Sequence, residues 1–306
     1  MRNLFSEPIY TIAFLVFYLI NTATKAQIPE NIKSIFPEGT IMHNNIAYAN
    51  DTLKKHLLDI YIPSGVKEKL PLVIWVHGGA WFLNDKFADM GYMKSTINAL
   101  IKNGYALASI DYRRSTTAPF PAQIQDCNAA LDFLYQHANE YNIDRERFAL
   151  IGFSAGGHLA SMVALTNNEN IKNFSLNESP FSFKIKATID FYGPSDLLVA
   201  GIQDDSLANS PIGILLGALP VDRPDLAKAA SPVTYVDKND PPFLIIHGEK
   251  DESVPVTQSQ LLQSYLQLSN IKNELIVVKG APHYGEMFDS EEIRNKILLF
   301  LKNSLR

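Results

Sequence analysis

Phe148-Ala149-Leu150-Ile151-Gly152-Phe153-Ser154-Ala155-Gly156-Gly157-His158-Leu159 decides how this chain is read. An apolar run ends at Gly152, Ser154 follows two residues later, and a helical pattern begins at once. A serine at so abrupt a strand-to-helix junction must hold strained backbone. Small residues two positions to either side let the chain close on itself there. The hydroxyl then stands at the carboxyl edge of a sheet, backed by a helix N-terminus that favours negative charge. Ser154 is therefore the candidate nucleophile.

Working outward, the same alternation recurs. His56–Ile62 alternates apolar and polar residues, the pattern of a half-buried strand. Leu72–Val76, Tyr105–Ile110 and Arg147–Ile151 are nearly continuous apolar runs, as strands covered on both faces should be. Further strands are expected at Ile185–Phe191, Phe243–Ile246 and Glu274–Val278. Helical spacing links Leu131, Leu134 and Tyr135 after Ala122, and recurs over Thr257–Leu268 and Glu291–Leu301. Strands alternating with helices predict an α/β fold with a doubly wound, mostly parallel sheet in one domain over residues 27–306. Between about 196 and 237 the alternation lapses among Pro211, Gly213, Gly217, Pro220 and Pro224. That stretch is too apolar for a linker and too broken for one helix, so a small helical lid insertion is expected.

Composition narrows the function classes. The 306 residues carry 27 basic and 32 acidic side chains, a formal net charge of −5, with no run of Lys or Arg. A surface that tracks nucleic-acid phosphates is not expected. Cys127 is alone, so no intramolecular disulfide is expected and no thiolate metal site can be built. The histidines are not at paired ligand spacing, and neither metal nor cofactor is implied. At the N-terminus, Arg2 precedes an apolar run from Ile9 to Ile20, followed by Asn21-Thr22-Ala23-Thr24-Lys25-Ala26. This reads as a signal peptide over residues 1–26 that sends the protein to the periplasm or outside the cell. An uncleaved N-terminal anchor is the other reading of the same run. After cleavage no stable membrane association is expected.

Acyl-transfer chemistry at Ser154 needs donors for an oxyanion and a base for the hydroxyl proton. His77-Gly78-Gly79-Ala80-Trp81 directly follows the Leu72–Val76 strand, and its glycines leave backbone N–H groups unobstructed. Gly78 and Gly79 with Ala155 are the expected oxyanion hole, in which one donor is worth about 3 kcal/mol. Trp81, with lid residues near Leu197 and Leu215, is expected to shape the substrate pocket. Chain order in such sites runs serine, acid, histidine. His283, in Lys279-Gly280-Ala281-Pro282-His283-Tyr284-Gly285, follows the last apolar strand and is the candidate base. His247 and His158 are read as packing or hydrogen-bonding residues. Asp251 in His247-Gly248-Glu249-Lys250-Asp251 lies beyond a strand tip and is the candidate acid; a helix-start or surface charge is the other reading.

Taken with Asp111-Tyr112-Arg113 and Tyr192-Gly193-Pro194-Ser195-Asp196, these motifs resemble the α/β-hydrolase serine esterases from about Leu58 to the C-terminus. The nearest branch is the bifunctional acetyl/feruloyl (acetyl xylan esterase-like) group. Ala80 and Phe153 stand where the hormone-sensitive-lipase branch carries a third glycine and an acidic residue, which counts against that branch. The resemblance implies a carboxylic-ester hydrolase that deacylates, chiefly deacetylates, plant polysaccharides or related small esters. An amide-cleaving relative, such as an arylformamidase or small peptidase, is the first alternative. A non-catalytic binding protein on the same scaffold is the second.

Overall fold

The computed structural model describes residues 28–169, 171–176, 180–201, 206 and 210–306. The expected signal peptide lies outside the described residues. A short helix α1 (Glu30–Lys33) leads into an eight-stranded sheet ordered β1-β2-β4-β3-β5-β6-β7-β8. The strands are β1 (Ile41–Ala47), β2 (Leu57–Ile62), β3 (Leu70–Val76), β4 (Ala106–Ile110), β5 (Ile143–Phe153), β6 (Ile185–Phe191), β7 (Phe243–Gly248) and β8 (Asn273–Val278). β2 runs antiparallel to both β1 and β4, and every other neighbouring pair is parallel.

Side chains alternate across the pleat into two separate cores. Leu72, Ile74 and Val76 of β3 face one core with Leu150, whereas Val73 and Trp75 face the other with Ile151 and Phe153. That is why the central strands read as unbroken apolar runs: both faces are dry. The layers are supplied by α2 (Lys94–Lys102), α3 (Ala122–Gln136), α4 (Ala155–Thr166), α8 (Thr257–Leu268) and α9 (Glu291–Ser304). α4 lies under β5 with every residue buried, as an all-round apolar helix requires.

Among the described residues of 196–237, the chain forms α5 (Leu197–Ala200), α6 (Pro211–Leu216) and α7 (Pro224–Ala229). Asp196 caps α5 through the N–H groups of Leu198 and Val199, and Ser210 caps α6 through Gly213 N–H with Pro211 in the first turn. Leu197 and Leu215 are themselves fully buried in the core, and the lid residues near them that line the pocket are Ala200, Pro211 and Ile212. No helix among the described residues is long and apolar enough to cross a membrane.

Candidate active site

β3, β5, β7 and β8 end at the same edge of the sheet, and the loops leaving them carry the candidate residues. Ser154 sits between β5 and α4 at φ 53°, ψ −118°, a conformation that costs on the order of 1–3 kcal/mol for a non-glycine residue. Its N–H is tied to Phe191 O at 2.8 Å, which fixes the turn against β6. A Cβ on Gly156 would come within 2.1 Å of Val76 O, so only glycine lets α4 start this close to β3.

The structure brings Ser154, His283 and Asp251 together across the sheet edge. Ser154 Oγ lies 2.8 Å from His283 Nε2, and His283 Nδ1 lies 2.6 Å from Asp251 Oδ2. The carboxylate at Nδ1 selects the tautomer with hydrogen there, leaving Nε2 to accept the serine proton. The His283 loop is moored by Asp289, whose carboxylate accepts the N–H groups of Ser95 and Thr96 at the start of α2. Asp251 accepts the N–H groups of Ser253 and Val254 at Oδ1, and its side chain has no exposed surface. Burial would raise its carboxyl pKa, but hydrogen bonds from His247, His283 and Val254 N–H hold it well below the usual carboxylate value.

His247, expected to pack or hydrogen-bond, stands 3.2 Å from Asp251 Oδ2 while Nε2–H donates to Val254 O and Nδ1 accepts from Ser259 Oγ. Its four-residue offset from Asp251 was the available signal. His158 accepts Trp81 Nε1–H at Nδ1 and donates from Nε2 to Ala230 O, and burial lowers its pKa to about 4. It is a neutral strut beneath Trp81, which lines the cavity.

The oxyanion loop departs from expectation at one donor. Gly79 (φ 115°), Ala80 (φ 52°) and Trp81 (φ 63°) turn successively through left-handed backbone. Among the described residues, Gly79 N–H and Ala155 N–H meet no acceptor. Gly78 N–H, expected to face the substrate, is instead donated to Asp89 Oδ2 at 2.8 Å. A Cβ on Gly79 would stand 2.8 Å from both Asn84 Nδ2 and Leu83 O, so glycine is required there on two counts. His77 and Tyr112 stack at 4.3 Å behind the loop, and Asp111 lies 3.6 Å from His77 Nε2.

Ser154, Ala155, Gly79 and His283 open together onto a cavity of about 740 Å³. Its lining is apolar at Trp81, Leu83, Pro211 and Ile212 and polar at Asn84, Asp89, Tyr92 and Tyr192. Tyr284, two-thirds exposed, stands at the rim beside His283. No group of three or more His, Cys, Asp or Glu among the described residues is arranged to hold a metal ion.

Comparison with known proteins finds esterases among the relatives of this chain. Esterase LipQ of Mycobacterium tuberculosis is 31% identical over 216 residues, which covers 70% of this chain and 50% of LipQ. A probable carboxylic ester hydrolase of the same organism, LipM, is 32% identical over 225 residues, covering 72% and 49%. The chain spans about half the length of these curated relatives. Among solved structures, a truncated carbohydrate esterase from gut microbiota matches with a TM-score of 0.78 at 31% identity, over 86% of this chain and 96% of that one. A bifunctional GH43-CE protein of Bacteroides eggerthii matches with a TM-score of 0.79 at 33% identity, over 87% of this chain and 35% of its own. The family model described as BD-FAE matches residues 58–266, more than half of the sequence, and the chain belongs to that family of α/β-hydrolases.

Proposed function

We propose that this protein hydrolyses carboxylic esters through an acyl-enzyme on Ser154, with His283 as general base and Asp251 orienting it. The observation that carries this reading is Ser154 Oγ, 2.8 Å from His283 Nε2, opening onto the cavity beside the N–H groups of Gly79 and Ala155, which meet no acceptor among the described residues. Ser154 Oγ attacks the ester carbonyl as its proton passes to His283 Nε2, and the carbonyl oxygen becomes an anion between those two N–H groups. The tetrahedral species collapses, the C–O bond to the alcohol breaks, and His283 returns its proton to the leaving oxygen. Water, deprotonated by the same histidine, then cleaves the acyl-enzyme to release the acid and restore Ser154.

The substrates proposed are acetylated plant polysaccharides or related small esters, met outside the cytoplasm after export directed by residues 1–26. Two features support this: the likeness to the gut carbohydrate esterase and the apolar run at the N-terminus. Fluorophosphonate labelling tests the chemistry, and a panel of p-nitrophenyl acetate, acetylated xylan, pectin, aryl formamide and dipeptide tests the substrate. Labelling of Ser154, turnover of the acetyl esters, and a loss of about 10⁴-fold or more in Ser154→Ala and His283→Ala are expected. Folded protein that neither labels nor turns over any ester would overturn the reading; faster cleavage of the amides would move it to amide hydrolysis.

A further inference from the structure

Gly79 N–H belongs to the peptide group that also contains Gly78 C=O, and the two point in opposite directions across a trans peptide. Whatever grips Gly78 therefore aims the Gly79 donor. His77 Nδ1–H donates to Gly78 O at 2.7 Å, and Asn84 Nδ2 reaches the same oxygen at 3.4 Å. The preceding peptide is held at both ends as well: Tyr112 O–H donates to His77 O at 2.9 Å, and Asp89 Oδ2 accepts Gly78 N–H at 2.8 Å. Asp89 supplies the carboxylate of this clamp.

Asp89 is itself gripped. Its Oδ1 accepts Tyr92 O–H at 2.7 Å, and Tyr92 Oη lies 2.8 Å from Tyr192 Oη, whose ring packs 4.7 Å from the His283 imidazole. The segment that carries Asp89 is bolted to the sheet by Trp75 Nε1–H donating to Ala88 O at 3.1 Å. Lys86 adds a second bolt, standing 3.6 Å from Asp59 and 4.0 Å from Asp111 with little exposure. Asp89 holds φ 69°, a left-handed conformation that a side chain adopts at some cost, and in doing so reaches Gly78.

We propose that Asp89 is a positioning residue that aims Gly79 N–H at the developing oxyanion, acting through Gly78 rather than on the substrate. The inference rests on the ester-hydrolysis reading above. Without the carboxylate, the His77–Gly78 peptide keeps only the Tyr112 bond at its other end, and the aim of the Gly79 peptide that follows it is less tightly fixed. The transition state, which needs the donor at one spot, then loses more than the ground state does.

The test is steady-state kinetics on p-nitrophenyl acetate, with the rate of fluorophosphonate labelling of Ser154 as a second readout, because negative charge also builds on the phosphoryl oxygen as Ser154 displaces fluoride. Asp89→Gly accepts the positive φ without strain and removes the carboxylate. It is expected to lower kcat by about 10- to 100-fold, short of losing a donor outright, with KM within about 3-fold and labelling slowed in parallel. Asp89→Asn keeps an acceptor for Gly78 and a group for Tyr92, and should recover to within about 5-fold of the parent. Should Asp89→Gly fail to fold, Tyr92→Phe supplies the measurement, with a kcat-only loss of about 3- to 10-fold. A raised KM at unchanged kcat, an Asn variant as impaired as Gly, or a folded Tyr92→Phe with parental kcat overturns the proposal. If the parent protein itself is inactive on esters and unlabelled, the ester-hydrolysis reading fails instead.

Discussion

His247 Nε2 stands 3.2 Å from Asp251 Oδ2, the oxygen that also receives His283 Nδ1 at 2.6 Å. One buried carboxylate thus serves two imidazoles, and the two backbone N–H groups at its other oxygen leave it no freedom to turn away. Its depressed pKa means it stays ionised in the fold, so its charge is available to stabilise the imidazolium formed when Ser154 is deprotonated.

Asp251→Asn should lower kcat/KM by about 10⁴-fold, because an amide no longer imposes the tautomer that leaves His283 Nε2 free. His247→Gln, which removes only the second imidazole, should cost far less. Kinetics on an aryl ester compare the two; equal losses would mean that His247 takes part in the proton transfer. Stability supplies a further check. A carboxyl with lowered folded pKa contributes stability present above its unfolded value, about 3.9, and lost as pH falls through the folded value. Acid unfolding below about pH 4 should therefore be shallower in Asp251→Asn than in the parent.

Gly156→Ala places a methyl 2.1 Å from Val76 O, a backbone atom that cannot step aside without parting α4 from β3. A loss of about 3 kcal/mol or more, or no soluble protein, is expected. Gly91→Ala is the control, with nothing within 4 Å of the added carbon and no positive φ. Thermal melting of the two variants checks the contrast. A Gly156→Ala protein that melts with the parent would mean that the elbow relaxes in a way the close approach forbids.

The parts of the site that sequence reading reached share a property: their signal is local. Ser154 announces itself by glycines two residues away, and His283 by a Gly-Pro loop after an apolar strand. The seven strands that were expected all formed, because burial on one or both faces writes itself into every residue of a strand. β1 escaped because Ile41–Ala47 is an edge strand, half-buried along most of its length, with polar His43, Asn44 and Asn45 in the middle. α2 escaped because no side chain of its own caps it; Asp289 caps it from the far end of the chain. Gly78 was assigned the wrong hydrogen-bond partner for the same reason. Asp89 lies eleven residues on, in a stretch without periodicity, and only the folded loop brings its carboxylate to Gly78. In the lid, Leu197 and Leu215 are buried, and it is Ala200, Pro211 and Ile212 near them that line the cavity.

Stability should favour the acid side of neutrality, through Asp240 and His56. Burial and then the charges of Asp237 and Glu169 push the Asp240 carboxyl up to about 7, against the lowering effect of its hydrogen bond from Asp237 N–H. Its Oδ1 is buried and meets no partner among the described residues, so ionisation there is unfavourable in the fold and free in the unfolded chain. A raised folded value means a contribution present in full below the unfolded pKa, about 3.9, and lost as pH rises to about 7. At His56 burial lowers the pKa, but Asp126 and Asp51 together outweigh it and raise the value above 6.5. Its contribution is present below that value and lost as pH rises through the raised one. Asp240→Asn removes the first penalty: its melting temperature should exceed the parent's at pH 8 and match it near pH 4. His56→Gln should cost stability at pH 5 and much less at pH 9. Calorimetry across that range decides both, and an Asp240→Asn gain that is the same at pH 4 and pH 8 would show that packing, not charge, governs that corner of the fold.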